Sequence, residues 1–215
     1  MLRFAAALLF LAICTLHAEE PGTDTPYRNY YKQLGPAKAA DPADALRIRL
    51  CPKPLAKGDP LPPDLAFEIR DGAQRTPMTL DAHQCFELPA NAAWAEHDAV
   101  LHKNWNKKLQ AVIEITGKLP VSTQLSYAEL TASVPAFERV IAAQGVMARM
   151  FGPKVKGLEI KFAPGVPQTV TVHAPQGDVS YTTDEHGVIR MPVNPGLNDA
   201  GVELSSLPLE IGPDA

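Results

Sequence analysis

The chain has 215 residues, a formal net charge of −4 and a hydrophobic share of 46%, which suit one or two compact domains. The mildly acidic balance, without long basic clusters, argues against nucleic acid as a partner. Proline is frequent, at 21 residues scattered between apolar segments, and this is typical of short strands joined by many turns.

The first 18 residues have the features of a secretory signal. Arg3 gives a positive start, residues 4–16 form an apolar run broken only by Thr15, and Ala18 is a small residue at the exit. The run is shorter than the roughly 20 apolar residues that span a bilayer. We expect cleavage after Ala18, export to the periplasm of a bacterial-type envelope, and no transmembrane segment.

An alternative start for the mature protein is Cys14. Residues 11–14, Leu-Ala-Ile-Cys, resemble the lipid-attachment box of bacterial lipoproteins. Ile13 departs from the small residue that this box requires before its cysteine. Lipidation of Cys14 is therefore the minor alternative to cleavage after Ala18.

Two helical segments are predicted, one before each group of strands. The first begins at Thr25-Pro26, with Thr25 as N-cap and Pro26 in the first helical position, and ends at Gly35-Pro36. The second carries an apolar stripe through residues 133–151 and is stopped by Gly152-Pro153.

Strands are predicted where apolar and polar residues alternate, because successive side chains of a strand face opposite sides of the sheet. The segments with this pattern are residues 46–50, 65–69, 85–88, 158–162, 169–172 and 188–191. The predicted fold class is α+β, mostly antiparallel β, with two tandem related β modules, each preceded by a helical segment. We place the signal at residues 1–18, the first module at 19–117 and the second at 118–215.

The two modules are predicted to be copies of one another. Residues 79–91 match residues 182–194 in order, with Thr, Asp, His, Pro and Asn coinciding. Residues 46–50 match 158–162, which places Cys51 on Ala163, whereas Cys85 falls on Val188. In further matches, Trp94, Ala99 and Leu101 align with Leu197, Val202 and Leu204, respectively. Tyr30-Tyr31 before the first group of strands corresponds to Tyr127 before the second.

Cys51 and Cys85 remain if Cys14 leaves with the signal. Two cysteines in an exported protein are most simply explained as one disulfide. The metal interpretation is weaker, because only His83 lies near either cysteine at ligand spacing. No metal ligand set and no cofactor is predicted.

A candidate ligand contact lies around Trp105. Lys103, Lys107 and Lys108 flank this tryptophan, and an aromatic ring beside lysines can hold a sugar or an acidic ligand in an envelope protein. Trp94 matches an apolar residue of the second copy and is expected in the core. Trp105 has no such counterpart and is the better candidate for an exposed contact.

The histidines allow two interpretations. Asp81 with His83, and Asp184 with His186, could bind metal or carry out acid–base chemistry. Because the pair occurs twice in equivalent positions, we favour a turn closed by the aspartate, with the histidine at its tip. His97 and His102, five residues apart, would need a loop to gather them on one metal.

The overall pattern resembles a family of uncharacterised proteobacterial exported proteins, from a Tyr-rich helix through to Gly-Leu-Glu-Ile-Lys-Phe at residues 157–162. That family has no known function, so no site residue carries over. Residues 183–192 are also similar to the turn of carboxypeptidase-regulatory-like, prealbumin-type β-sandwiches, although Gln84 departs from that pattern in the first copy. This resemblance implies a sandwich fold and no activity.

These observations leave the biochemical function unknown and favour no catalytic residues. The leading hypothesis is a periplasmic accessory or binding protein with an envelope protein or glycan as partner. One rival is a hydrolase or metal-dependent enzyme with a site between the modules, which requires His83, His97, His102 or His186 to converge with a carboxylate. Another is weak metal binding by the histidines.

Overall fold

The computed structural model describes residues 24–55, 60–105, 109–145 and 154–214. Strands predominate, helices are few, and every strand pair whose register is resolved is antiparallel. The predicted fold class, α+β with mostly antiparallel β-sheet, is confirmed. No helix in the described part of the chain has the length and apolar character needed to cross a membrane. The predicted signal and Cys14 lie outside the described residues.

The chain divides into two compact units. The first contains Met1–Ala39 and Ile48–Ile115, and the second contains Ala40–Arg47 and Thr116–Ala215. The stretch that follows the first helix, together with the first two residues of the second strand, therefore belongs to the second unit, so the division of the chain is not a single cut.

The first half of the chain has seven strands and two helices among the described residues. In chain order they are β1 (Asp24–Pro26), α1 (Tyr27–Ala39), β2 (Leu46–Pro54), β3 (Phe67–Asp71), β4 (Gln74–Met78), β5 (Phe86–Glu87), α2 (Ala92–Glu96), β6 (Val100–Lys103) and β7 (Leu109–Gly117).

The second half repeats this order. Its elements are β8 (Gln124–Ser126), α3 (Tyr127–Thr131), α4 (Ser133–Ala143), β9 (Gly157–Lys161), β10 (Thr169–Ala174), β11 (Gly177–Thr182), β12 (Val188–Pro192), a 3-10 turn (Pro195–Leu197), β13 (Gly201–Leu204) and β14 (Glu210–Asp214).

The two halves have the same sheet topology. The four-stranded sheets have the orders β1-β6-β3-β4 and β8-β13-β10-β11, and the three-stranded sheets have the orders β5-β2-β7 and β12-β9-β14. Each strand thus has the same neighbours as its counterpart in the other half, so the repeat seen in the sequence has a structural equivalent.

Each unit has its own hydrophobic core, built from the inward residues of alternating strands. Phe67 and Ile69 of β3 are buried in the first core, and Val170 and Val172 of β10 are buried in the second. The neighbouring positions in these strands are more exposed than the core residues. The alternation of the sequence therefore fixes which face of each strand is inside.

The helix boundaries differ from the prediction. Residues Thr25 and Pro26 lie in β1, α1 begins only at Tyr27, and Gly35-Pro36 does not end it, because α1 continues to Ala39 with Pro36 inside. The predicted second helix is α4, which begins at Ser133 as expected and ends at Ala143; residues 146–153 lie outside the described part. The short helix α3 before it was not predicted. A capping box of Ser126 and Glu129 starts α3. Since α1 and α3 both open on a tyrosine, the counterpart of Tyr127 is Tyr27 rather than Tyr30-Tyr31.

The register of the central strand also differs from the sequence alignment. Leu50 pairs with Phe86, and Ile160 pairs with Ile189, the residue that matches Phe86. The next pair along each ladder is therefore Cys51 with Cys85 in the first half and Lys161 with Val188 in the second. Cys51 corresponds to Lys161, not to Ala163.

A second register difference follows α2. This helix has five residues, whereas the matching 3-10 turn has three. Leu101 pairs with Thr25 of β1, and Val202 pairs with Leu125 of β8. Leu101 therefore corresponds to Val202 rather than to Leu204, because the shorter turn removes two residues from the second copy.

Candidate functional site

The repeated Asp-x-His segments are turns closed by their aspartates. Asp81 Oδ1 accepts hydrogen bonds from the backbone N–H groups of His83 and Cys85, at 2.9 and 3.0 Å, and Asp184 Oδ1 accepts the equivalent pair from His186 and Val188, both at 2.9 Å. The predicted turn interpretation is confirmed.

The same turns need one residue with a left-handed backbone. Gly187 has φ +77° and its counterpart Gln84 has φ +58°, so the first copy holds a glutamine where glycine is the favoured residue. The first turn therefore depends more on its tertiary surroundings, and those surroundings include a buried arginine.

The Arg49 cluster consists of Arg49, Asp81, Glu114 and the disulfide Cys51–Cys85. The Arg49 side chain is only 8% exposed; its Nη1 lies 2.8 Å from Asp81 Oδ2 and its Nη2 lies 2.6 Å from Glu114 Oε2. Asp81 and Glu114 are 32 and 65 residues away from Arg49 in the sequence. Two carboxylates thus neutralise one buried guanidinium, as burial of a charge requires.

The Asp81 carboxyl group is held in its charged form. Burial raises its pKa, but the hydrogen bonds from Cys85 N and from the Arg49 guanidinium outweigh burial, so that the pKa lies below its usual value. Asp81 therefore stays ionised at neutral pH.

The disulfide lies directly beside these charges. Cys51 and Cys85 are bonded, with an Sγ–Sγ distance of 2.09 Å, and Cys51 Sγ lies 3.4 Å from Glu114 Oε2. Both cysteines are buried, together with Val112. The disulfide predicted from the sequence is present, and one of its sulfurs contacts a carboxylate.

The second unit fills the equivalent positions with fixed charges. Lys161, the counterpart of Cys51, lies 2.7 Å from Glu210, and Arg190 of β12 lies 2.7 Å from Glu159 of β9. Burial lowers the pKa of Lys161, but the hydrogen bond to Glu210 outweighs this, so the pKa is raised. The arginine has moved from the central strand in the first unit to an edge strand in the second.

The predicted ligand contact around Trp105 is only partly described. Trp105 is partly buried and packs against the core of the first unit, and Lys103 is partly buried in β6, where burial lowers its pKa. Lys107 and Lys108 lie outside the described residues. Ligand binding by Trp105, Lys103, Lys107 and Lys108 stays a prediction.

Three of the described histidines lie near carboxylates. His102 Nδ1 lies 2.6 Å from Asp24 Oδ1 across β6 and β1, whereas His173 lies 3.0 Å from Asp178 and 3.9 Å from Glu203. His186 is highly exposed. Among the described residues, the one group of three or more His, Cys, Asp or Glu side chains with converging ligand atoms is Cys51, Cys85 and Glu114, which contains no histidine.

Four loops meet at one end of the second unit. They are residues 118–123, 162–168, 183–187 and 205–209, which lie where β8, β10, β12 and β14 begin and where β9, β11 and β13 end. Antiparallel pairing brings these strand ends together, since Thr169 pairs with Thr182 and Lys161 pairs with Glu210.

This end of the unit carries exposed aliphatic side chains, which we call the apolar loop end. Of the seven large hydrophobic side chains that are exposed in the described part of the chain, five belong to it: Leu119 (41%), Val121 (98%), Val166 (63%), Leu207 (50%) and Leu209 (63%). Single exposed leucines are common on protein surfaces, but a group on adjacent loops is a feature of interaction sites.

The loops are tied to the strands by hydrogen bonds. Ser205 N donates to Thr169 O at 3.0 Å, and Leu209 N donates to Lys161 O at 2.7 Å. The hydroxyls of Ser205 and Ser206 both donate to Gln168 Oε1, at 2.7 and 2.8 Å. The aliphatic side chains of these loops therefore project from a backbone that is held by hydrogen bonds to the neighbouring strands.

The chain was compared with known protein families, curated proteins and solved structures. A family model described as "Protein of unknown function (DUF2987)" matches residues 23–162, more than half of the chain. The chain belongs to the DUF2987 family. The DUF2987 match covers the described part of the first unit and extends just past the end of β9, so two of the four loops of the apolar loop end lie wholly after the matched region and a third shares only residue 162 with it. Neither the curated proteins nor the solved structures include a significant match.

The DUF2987 match agrees with the predicted membership of a family of unknown function. The likeness of the turns to prealbumin-type sandwiches stays a prediction. Two features escaped the sequence analysis, namely the Arg49 cluster and the apolar loop end. The sequence feature that could have indicated the Arg49 cluster is Arg49 itself, which lies two residues before Cys51 in the alternating segment 46–50. The features that could have indicated the apolar loop end are Leu-Pro-Val at 119–121 and Leu-Pro-Leu at 207–209.

Proposed function

We propose that this DUF2987 protein is an exported accessory protein that binds a protein of the cell envelope through the apolar loop end. The observation that carries the proposal is the exposure of Val121, Val166, Leu207 and Leu209 on neighbouring, hydrogen-bonded loops. Full burial of a side chain of this size contributes about 1.5–3 kcal/mol, and these residues forgo the share that corresponds to their exposed fraction. A partner that covers them would recover part of that free energy.

The chemistry of this surface favours a protein over a glycan as partner. Aliphatic side chains offer no hydrogen bonds to sugar hydroxyls, and glycan sites usually use aromatic rings, whereas Trp105 packs against the first core. Glu185, on one of the loops, has a highly exposed carboxylate, which disfavours an anionic membrane surface. A protein with an apolar patch and a basic rim fits best.

Export is supported by the signal-like residues 1–18 and by the disulfide Cys51–Cys85. Disulfides persist in oxidising compartments such as the periplasm and are rare in the cytosol. Fractionation of cells, with mass spectrometry of the mature N-terminus, tests this part. We expect a periplasmic protein that begins at Glu19, and a cytosolic, full-length, reduced protein would contradict export.

Binding is tested by partner capture from crosslinked envelopes with the triple variant Val121→Ser, Leu207→Ser, Leu209→Ser. The control is Leu55→Ser, because Leu55 is as exposed as Leu209, at 63%, but lies in the first unit. We expect one envelope protein to be captured by the wild type and by the control and to be lost with the triple variant. Equal capture by all three proteins would exclude the apolar loop end as the contact.

A further inference from the structure

We propose that reduction of the Cys51–Cys85 disulfide converts the Arg49 cluster into a binding site for a thiophilic divalent cation of the zinc type. The ligands are the two thiolates and the Glu114 carboxylate. The ligand atoms of these three residues lie within 4.8 Å of one another in the disulfide-bonded structure. The site is separate from the apolar loop end and does not depend on the function proposed for it.

The geometry is close to what zinc requires. A tetrahedral zinc ion has Zn–S distances of about 2.3 Å and Zn–O distances of about 2.0–2.2 Å, which sets its ligand atoms roughly 3.3–3.8 Å apart. Cys51 Sγ and Glu114 Oε2 already lie 3.4 Å apart. The two sulfurs must separate, and breaking their bond allows this. Water can fill the fourth position from the side of Glu114, whose side chain is 25% exposed.

Charge provides the second argument. In the disulfide form the cluster contains two carboxylates and one guanidinium, with Arg49 bonded to both Asp81 and Glu114. Reduction converts the two disulfide sulfurs into thiols, each of which can lose a proton in the same half-buried space. Arg49 can neutralise only one of the resulting negative charges, so a divalent cation is strongly favoured there.

The second unit supports this reasoning by contrast. In the second unit, Lys161 stands in place of Cys51 and lies 2.7 Å from Glu210, and Val188 stands in place of Cys85. The second unit therefore holds a permanent positive charge where the first unit holds a disulfide. Only the first unit can change the charge of this position through redox chemistry.

The chemistry balances as follows. A dithiol reductant transfers two electrons and two protons to the Sγ–Sγ bond and is itself oxidised to a disulfide, which leaves two cysteine thiols. The cation then binds as both thiol protons pass to solvent, because thiolates rather than thiols are the ligands. Glu114 exchanges its bond to Arg49 Nη2 for a bond to the cation, and Arg49 keeps Asp81.

The experiment measures zinc binding by the purified protein before and after reduction with a phosphine, which is then removed. Equilibrium dialysis gives the stoichiometry, and competition with a chromophoric chelator gives the Kd. We expect one zinc ion per reduced chain and none per oxidised chain. We also expect Glu114→Gln to raise the Kd by at least about tenfold, the lower end of what loss of a group that only supports a zinc ligand costs, whereas the control variant Glu210→Gln in the second unit leaves the Kd unchanged.

Thermal unfolding separates a built site from thiols in an unfolded chain. A cation that binds the folded protein raises the Tm of the reduced form. The inference is overturned if the reduced protein binds no more zinc than the oxidised protein, if Glu114→Gln binds zinc as tightly as the wild type, or if zinc leaves the Tm of the reduced protein unchanged.

Discussion

Tyr27 and Tyr127 make the same pair of hydrogen bonds in the two units. Tyr27 Oη donates to Pro89 O and accepts from Asn91 N at 2.9 Å, while Tyr127 Oη donates to Pro192 O at 3.1 Å and accepts from Asn194 N at 2.9 Å. Both rings are at most 1% exposed. Each tyrosine therefore links the start of a helix to a proline, which is Pro89 just after β5 in the first unit and Pro192 at the end of β12 in the second.

Replacement of either tyrosine by phenylalanine should destabilise its own unit. The ring is kept, but a buried carbonyl and a backbone N–H lose their partner, at a cost of about 1–3 kcal/mol. Urea denaturation of Tyr27→Phe and Tyr127→Phe measures this loss. The control Tyr181→Phe, in β11, should change stability by less than about 0.5 kcal/mol. Equal effects at all three positions would show that the shared hydrogen bonds do not matter.

Removal of the disulfide should weaken the first unit before the second. Closure of the loop between Cys51 and Cys85, which are separated by 34 residues, contributes about 4 kcal/mol on the chain-entropy model. In the double variant Cys51→Ser, Cys85→Ser, hydrogen exchange should become faster in β2, β3 and β5 while β9, β10 and β12 keep their protection. Uniform acceleration in both halves would contradict independent stabilisation of the units.

Asp81→Asn should cost about 1–3 kcal/mol at pH 7, because buried Arg49 is left with Glu114 alone. The pKa of Asp81 is lowered in the folded state, so its contribution is present above the unfolded value of about 3.9 and is lost as the pH falls through the folded pKa. Urea titrations should therefore show the difference between wild type and variant shrinking below about pH 4. A difference that is constant from pH 7 to pH 3 would rule out this linkage.

Gly157 should not tolerate a side chain. A Cβ at this position of β9 would lie 2.3 Å from Met191 O of the paired strand β12, whereas a Cβ at Gly212 of β14 would meet nothing within 4 Å. We expect Gly157→Ala to destabilise the second unit by about 1–3 kcal/mol, as overpacking does, and Gly212→Ala to have little effect. The melting temperatures of the two variants check this, and similar values would show that β12 can move aside.

The sequence was sufficient for the strands and the repeat, because both depend on local patterns. Alternation at residues 46–50 and 158–162 identified two strands correctly but could not fix their register. A shift of two residues keeps the same face inward. Only the pairing of Leu50 with Phe86 and of Ile160 with Ile189 shows that Cys51 corresponds to Lys161.

The candidate sites were harder to predict because their residues are distant in sequence. Arg49 meets Glu114 across a separation of 65 residues, and the charge that corresponds to Arg49 in the second unit lies on a different strand, at Arg190. The apolar loop end combines short Leu-Pro segments that resemble ordinary strand residues. Their exposure follows from strand order, which a single sequence does not reveal.

Site-specific photo-crosslinking in intact cells tests the binding proposal most directly. A photoreactive residue is placed in turn at positions 121, 207 and 209 of the apolar loop end, and at position 55 of the first unit as an equally exposed control. We predict that the three loop positions give one and the same crosslinked envelope protein and that position 55 does not. Crosslinks to that protein from position 55 alone, or none from the loop positions, would contradict the account.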